Sequence, residues 1–128
     1  MGYKRLRVAL FGRFCPEKAE CESIEDRKEK LRDEAKRRDY LIVDEFWEEN
    51  IPLDTPLNER PVMKRLITAI WNNELNIDGL FITEISELGW TNRKEQVVLT
   101  VLFEQNNIAI ITWDEFYHPD DWMAGLSF

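Results

Sequence analysis

The chain has 128 residues, of which 44% are hydrophobic and 33% charged, and its formal net charge is −8. This length and composition predict one folded domain and argue against a disordered or membrane-spanning chain. The acidic balance, with no Lys or Arg after Lys94, disfavours autonomous DNA binding, because such binding needs clustered cations.

The amino-terminal stretch MGYKRLRVALFGRFC does not have the pattern of a signal peptide, because Arg13 interrupts its apolar run and no small-residue cleavage site follows. Cys15 and Cys21 are too few for a disulfide framework. With His118 as the single histidine, they are also too few for a structural zinc site. We therefore expect a cytoplasmic protein with no membrane association, no metal and no cofactor.

Four apolar, β-rich runs alternate along the chain with helical patterns. Near-continuous apolar runs of this length are typical of strands that are covered on both faces of a sheet. The predicted strands are RLRVALFGRF (5–14), YLIVDEFW (40–47), IDGLFIT (77–83) and IAIITW (108–113).

The first helix is predicted over SIEDRKEKLRDEAKRRD, directly after the first strand. Ser23 can cap its first turn, and Asp26 stands where the acid of a capping box would stand. Leu31 and Ala35 belong to a narrow apolar stripe. The abundant charges of this segment indicate a solvated helix face.

Two more helices follow the second and third strands. In RPVMKRLITAIWNNEL, Pro61 suits the first helical position, and a wide apolar face runs as far as Trp71. The third helix begins at about Asn92, which can act as its N-cap, with Glu95 in the capping-box position.

This alternation predicts an α/β fold, a doubly wound and mostly parallel sheet of four to five strands with helices on both faces. We expect one domain over residues 1–128. In such sheets ligands and catalytic groups gather outside the carboxyl ends of the strands. Those ends are followed here by residues 13–17, 48–60, 83–90 and 114–121.

The residues at these ends leave several interpretations open. Cys15, two residues after Arg13, is either a nucleophile beside a phosphate ligand or a thiol that ends a strand. A group of acids after the second strand could hold a divalent cation, but solvated surface acids are the commoner case. These acids are Glu45, Glu48, Glu49 and Asp54.

The order of these motifs resembles the catalytic (resolvase) domain of serine recombinases over about residues 5–115. The resemblance rests on LFGRFC at the end of the first strand, on SIEDRKEKLRDEAKRRDY for the first helix, and on ERPVMKRLITAI for the start of the second. NIDGLFITEISELGW matches the strand that leads into the family's Asp-Arg-Leu-x-Arg motif.

The resemblance implies a serine that attacks a DNA phosphodiester to form a phosphoserine link, with arginines that bind the scissile phosphate. Arg13 matches the arginine at the strand end, and Arg60 matches the arginine before the proline. The nucleophilic serine falls on Cys15, and the helix glutamine falls on Arg27. The family's acid after the second strand falls on Glu48 or Glu49.

The Asp-Arg-Leu-x-Arg motif departs furthest from the family pattern, because it reads Ser86-Glu87-Leu88-Gly89-Trp90 here. A glutamate in place of an arginine repels a phosphate as well as removing a cation. We therefore predict a serine-recombinase-like domain without catalysis. Its predicted role is a protein-interaction or regulatory module in DNA recombination, without the family's long dimerisation helix or DNA-binding domain.

Two other functions stay open. In the first, the domain is an active phosphoryl transferase with Cys15 as nucleophile and Arg13 and Arg60 as phosphate ligands. In the second, it is an α/β domain that binds an unspecified small ligand.

Large aromatic residues indicate an interaction surface, because those near the last strand are too many to be buried in one sheet domain. The expected partner is a recombinase, another DNA-processing protein or a second copy of the chain. The residues of this predicted surface are Trp90, Trp113, Phe116, Tyr117 and Trp122.

Overall fold

Strands and helices alternate in the computed structural model, which describes residues 5–14 and 23–117. Within these residues the strands are β1 (Arg7–Phe14), β2 (Leu41–Glu49), β3 (Gly79–Phe81), β4 (Ala109–Ile111) and β5 (Phe116–Tyr117). The α-helices are α1 (Ile24–Arg37), α2 (Pro61–Trp71) and α3 (Arg93–Gln105). Short 3-10 turns occupy Leu57–Glu59 and Ile85–Leu88.

The sheet has the order β2-β1-β3-β4-β5, with β1 to β4 parallel and β5 antiparallel to β4. Its centre is held in register by Val8 opposite Gly79 and by Gly79 opposite Ala109. This arrangement confirms the predicted α/β fold with a mostly parallel sheet of four to five strands. The fifth strand, β5, consists of only two residues and was not predicted as a strand.

Two layers of apolar side chains cover the sheet, one on each face. The larger layer lies under α2 and α3 and includes Phe46, Leu66 and Phe103. The smaller layer lies under α1 and includes Leu31 and Phe81. Because β1 contributes alternate residues to both layers, its apolar run has no polar face, as the sequence pattern predicts.

The predicted helix starts are confirmed. The Ser23 hydroxyl accepts a hydrogen bond from the Asp26 backbone N–H (3.1 Å), and the Asn92 side chain accepts one from Glu95 N–H (2.9 Å). Pro61 is the first residue of α2. These caps satisfy amide groups that the first helical turn leaves without intrahelical partners. No helix among the described residues has the length and apolar character that a bilayer span requires.

Trp71 differs from the prediction. It was expected on the apolar face of α2, but it is 74% exposed. Trp71 is the last residue of the helix, and it shares a helical stripe with the exposed residues Thr68 and Lys64, three and seven positions earlier. The buried stripe of α2 consists of Met63, Leu66 and Ile70.

An ion pair joins α1 to β2 near the outer edge of the sheet. The Arg32 guanidinium donates from Nη2 to Glu45 Oε1 (2.7 Å), and Trp47 Nε1 donates to the same oxygen (2.9 Å). The hydrogen bond from Arg32 lowers the pKa of the Glu45 carboxyl below its usual range, although partial burial opposes that shift. The charged form of Glu45 is therefore stabilised by folding.

We expect Glu45→Gln to lower the free energy of unfolding at neutral pH by about 1 kcal/mol, because the partly exposed pair is screened by solvent. A carboxyl with a lowered pKa stabilises the fold above its unfolded pKa, and this stabilisation is lost as the pH falls through the folded pKa. The variant should therefore lose less stability than the wild type between about pH 5 and pH 3. Urea unfolding across this range measures the effect, and the exposed Glu59→Gln is the control.

Candidate active site

The two predicted phosphate ligands, Arg13 and Arg60, both contact Glu48 at the carboxyl ends of β1 and β2. Arg13 Nε lies 3.0 Å from Glu48 Oε1, and Arg60 Nε lies 2.9 Å and 3.1 Å from the two Glu48 oxygens. The Arg13 contact is an ion pair outside hydrogen-bond geometry, whereas both Arg60 contacts are hydrogen bonds. All three side chains are buried, and Glu48 and Arg60 are 0% exposed.

Backbone carbonyl groups accept hydrogen bonds from the outer nitrogens of both arginines. Arg13 Nη2 donates to Pro52 O (2.7 Å) and Leu53 O (3.3 Å). Arg60 Nη1 donates to the carbonyl oxygens of Leu88 and Gly89, at 2.7 Å and 3.1 Å. The arginines therefore join three segments of chain: the loop after β2, the start of α2 and the turn at residues 85–89.

Burial lowers the pKa of Arg60 from its ordinary value, while the attraction to Glu48 opposes this shift. An arginine still keeps its proton at any physiological pH, so a positive charge remains inside the domain. Arg60 Nη2 is buried, and it has no hydrogen-bond partner among residues 5–14 and 23–117. Glu48 gives the largest compensating attraction for the charge of Arg60, and Glu95 adds a smaller one.

Gly89 is required by the close approach of the two arginines. Its φ is +66°, and a Cβ atom at this position would lie 2.1 Å from Arg13 Nη1 and 3.0 Å from Arg60 Nη1. Both the left-handed backbone and the lack of space exclude an ordinary side chain. The glycine thus allows the turn at residues 85–89 to pack directly against the guanidinium groups of Arg13 and Arg60.

A second pair of opposite charges lies beside the first. Glu87, in the turn after β3, is buried, and its Oε1 lies 3.8 Å from Arg27 Nη2 of α1. The Thr83 hydroxyl donates to the same oxygen (3.1 Å). Arg27 also stacks over the ring of Phe14, with its Cζ 4.5 Å from the ring centroid. Glu87 therefore connects the turn to α1 and to the end of β3.

Glu95 supports the loop that carries Arg60. Its carboxylate accepts hydrogen bonds from the backbone N–H of Leu57 (3.0 Å) and of Thr91 (2.7 Å). Burial alone raises the pKa of Glu95, but these hydrogen bonds outweigh it, and the pKa is lowered overall. Sequence reasoning placed Glu95 in a capping box, and it did not anticipate the contact with Leu57, 38 residues away.

The acids proposed as ligands of a divalent cation do not gather at one point. Glu48 binds two arginines, Glu45 binds Arg32, and Glu49 lies 3.3 Å from Lys28. Asp54 is exposed. The part of the chain that the structure describes contains no group of three or more metal-ligating side chains.

The predicted aromatic surface is divided between the two faces of the sheet. Trp90 and Tyr117 pack against the apolar layer under α2 and α3. Trp113 stacks on Phe81, which belongs to the layer under α1. Phe116 is 39% exposed. Cys15, Cys21, His118 and Trp122 lie outside the described residues.

A family model described as "Resolvase, N terminal domain" matches residues 8–127. The chain belongs to this resolvase family. The fold is similar to the N-terminal catalytic domain of TP901-1 integrase, with 24% identity and a TM-score of 0.66 over 83% of this chain and 75% of that one. It is also similar to the C-terminal catalytic domain of ISC1926 TnpA, an IS607-like serine recombinase. That match has 15% identity and a TM-score of 0.61, over 84% of this chain and 67% of that one. No curated protein matches the chain.

Sequence reasoning about this resolvase domain placed Arg13, Glu48 and Arg60 at the correct edge of the sheet, but it did not predict that they bind one another. It also treated Arg27 and Glu87 as separate departures from the family pattern. Relative to the family pattern, Arg27 stands in place of a glutamine and Glu87 in place of an arginine. Taken together, these two changes indicate an ion pair, because each residue supplies the charge that the other needs.

We expect Glu48→Gln to destabilise this resolvase domain by about 3–5 kcal/mol, because it leaves two buried guanidinium groups without a counter-charge. The matched control is Glu49→Gln. Glu49 is the next residue, and its carboxylate is 42% exposed although its partner Lys28 is mostly buried. The control should cost less than about 1 kcal/mol. Urea unfolding at neutral pH measures both, and a loss in Glu48→Gln as small as that expected of the control would show that the buried pairs do not stabilise the fold.

Proposed function

We propose that this resolvase-family domain does not catalyse strand transfer and acts as a protein-interaction or regulatory module in DNA recombination. The family relationship and the likeness to recombinase catalytic domains support the connection to recombination. The electrostatics of the site support the loss of catalysis.

The observation that carries the proposal is the engagement of Arg13 and Arg60 by Glu48 and by backbone carbonyl groups. Phosphoryl transfer is catalysed mainly by cations that are aimed at the phosphate and stabilise its transition state. Guanidinium groups that already bind a buried carboxylate and carbonyl oxygens are poorly placed for that task. In this domain the two arginines stabilise the folded structure.

Glu87 adds a second reason. Its buried carboxylate occupies a position where the family resemblance implies an arginine, and it lies in the turn whose carbonyl oxygens bind Arg60. A negative charge within about 5 Å of a phosphate in a partly desolvated site repels it by a few kcal/mol. A loss of about 1.4 kcal/mol of transition-state stabilisation lowers the rate tenfold.

A second candidate function is phosphoryl transfer with Cys15 as the nucleophile. It is favoured by the retention of Arg13, two residues before Cys15, and of Arg60, at the start of α2, because both arginines pair with the same carboxylate. A cysteine nucleophile needs a lowered thiol pKa, which several neighbouring cations would supply. The two functions therefore differ in the expected acidity of this thiol.

In a non-catalytic domain we expect the Cys15 thiol to titrate near pH 8.5, the ordinary value for a cysteine that no set of catalytic cations activates. The measurement is the pH dependence of alkylation by iodoacetamide in Cys21→Ser, where Cys15 is the single thiol. The matched control is Cys15→Ser, in which Cys21 reports instead.

A Cys15 pKa well below that of Cys21, together with slower alkylation in the presence of inorganic phosphate, would contradict the proposal. That result would favour the cysteine enzyme. It would also justify a search for a covalent DNA adduct that is lost in Cys15→Ala. An ordinary thiol that phosphate does not protect supports the non-catalytic domain.

The proposed partner is a recombinase, another DNA-processing protein or a second copy of this chain. The exposed aromatic residues on β5 and after β4 support an interaction, because large aromatic side chains dominate the energy of protein interfaces. Trp90 and Tyr117 pack against the domain's own core, whereas Trp113 and Phe116 are each 39% exposed.

We expect Phe116→Ser to weaken self-association by about tenfold, as the loss of an aromatic interface residue commonly does. Sedimentation equilibrium over a range of protein concentrations measures the association. Val98→Ser is the control, because Val98 is similarly exposed but lies on α3. A wild-type chain that stays monomeric throughout would rule out a second copy and leave a different protein as the partner.

A further inference from the structure

The strand β2 lies at one end of the sheet that the described residues form, and its outer side faces away from β1. The outer side of an edge strand carries backbone N–H and C=O groups that can pair with a strand of another molecule. β2 has nine residues, whereas β5, at the opposite end, has two. The β2 edge is therefore the one at which an added strand could form a long ladder.

The backbone of Glu45 points to this outer side. Asn50 N–H donates to Phe14 O of β1 (2.9 Å), and backbone groups of successive strand residues point alternately to the two sides, so those of Glu45 point away from β1. Glu45 N–H donates to Asp44 Oδ1 (2.7 Å), and Glu45 O accepts from Arg65 Nη2 (3.3 Å). Both outward backbone groups of Glu45 thus bind side chains of the same chain.

Asp44 and Arg65 together form what we call the edge clip. Asp44 Oδ2 lies 3.9 Å from Arg65 Nη1, so each side chain contacts the other as well as the Glu45 backbone. Arg65 comes from α2, and its Cζ lies 4.1 Å from the centroid of the buried Phe46 ring. This stacking orients the guanidinium group over the strand edge.

The edge clip is not explained by a contribution to stability. The side chains of Arg65 and Asp44 are 56% and 46% exposed, and ion pairs with such exposure contribute little to the free energy of unfolding. What distinguishes this pair from an ordinary surface pair is its position, because it binds the N–H and the C=O group that an incoming strand would need.

A β-bulge directly before the clip interrupts the same strand. Val8 is paired with Ile42 and Ala9 with Asp44, so Val43 is an extra residue in β2. Bulges disturb the regular ladder and are one of the means by which proteins limit pairing at edge strands. The bulge and the edge clip therefore act in the same direction.

We propose that the edge clip closes β2 against pairing with the β2 strand of a second copy of the chain, and that loss of the clip exposes a self-association site. The strand carries two exposed apolar residues, Leu41 and Val43, each 44% exposed. Two identical strands that pair about a two-fold axis would bring these residues together, which favours a second copy as the occupant. The inference does not rest on the proposed function, because it concerns the edge opposite Phe116.

The test is sedimentation equilibrium of the full chain carrying Asp44→Ala and Arg65→Ala, a double variant that keeps the net charge at −8. We expect self-association at least about tenfold tighter than in the wild type, because the Glu45 backbone becomes available for pairing. The matched control is Arg5→Gln with Asp39→Asn, which removes a similarly exposed pair and also keeps the net charge. Asparagine suits the left-handed backbone of Asp39, and the control should associate as the wild type does.

A third substitution in the double variant locates the association. Val43→Lys places a charge at the β2 edge and should return the association to the wild-type level, because lysine on an edge strand opposes pairing. Val98→Lys, at an exposed valine on α3, adds the same charge and should change nothing. Phe116→Ser should also leave it unchanged, which separates it from the self-association proposed for β5.

Asp44→Ala alone keeps Arg65 stacked on Phe46 and serves if the double variant does not fold. Hydrogen exchange of the Glu45 amide should be faster than in the wild type at low protein concentration and should slow as the concentration rises. A folded double variant, or a folded Asp44→Ala chain, that associates no more tightly than the wild type would overturn the proposal. Tighter association that Val43→Lys does not weaken lies elsewhere and would overturn it too.

Discussion

The ion pairs of the Glu48 carboxylate with Arg13 and Arg60 are the interactions on which the structure at the carboxyl ends of the strands depends. Charges without water need a counter-charge and hydrogen bonds, because an uncompensated buried ion costs several kcal/mol. The arginines meet this need with Glu48 and with carbonyl oxygens from the loop after β2 and the turn at residues 85–89. The conformations of these segments are therefore coupled to one another.

Arg13 and Arg60 are also the residues that the family resemblance implies as phosphate ligands. In a phosphoryl-transfer site, guanidinium groups are held in place so that they can bind a phosphate. In this domain Glu48 pairs with both arginines, and the ion pair of Arg27 with Glu87 lies beside them.

Local sequence signals predicted the fold well where they act within one element. The caps at Ser23 and Asn92 and the first position of α2 at Pro61 follow from hydrogen-bonding needs that a few neighbouring residues satisfy. Errors arose at element ends. Trp71 continues an apolar run but faces solvent, and β2 extends two residues beyond its predicted end because Glu48 and Glu49 still pair with Arg13 and Phe14.

The sequence by itself determined the alternation of strands and helices. It also placed Arg13 and Glu48 near the ends of their strands and Arg60 at the start of a helix, because periodicity and capping are local properties. Only the tertiary structure decided that these side chains bind one another and that Glu95 supports Leu57. Such contacts join residues that are dozens of positions apart. Their geometry depends on how the helices pack on the sheet, and no pattern of neighbouring residues encodes it.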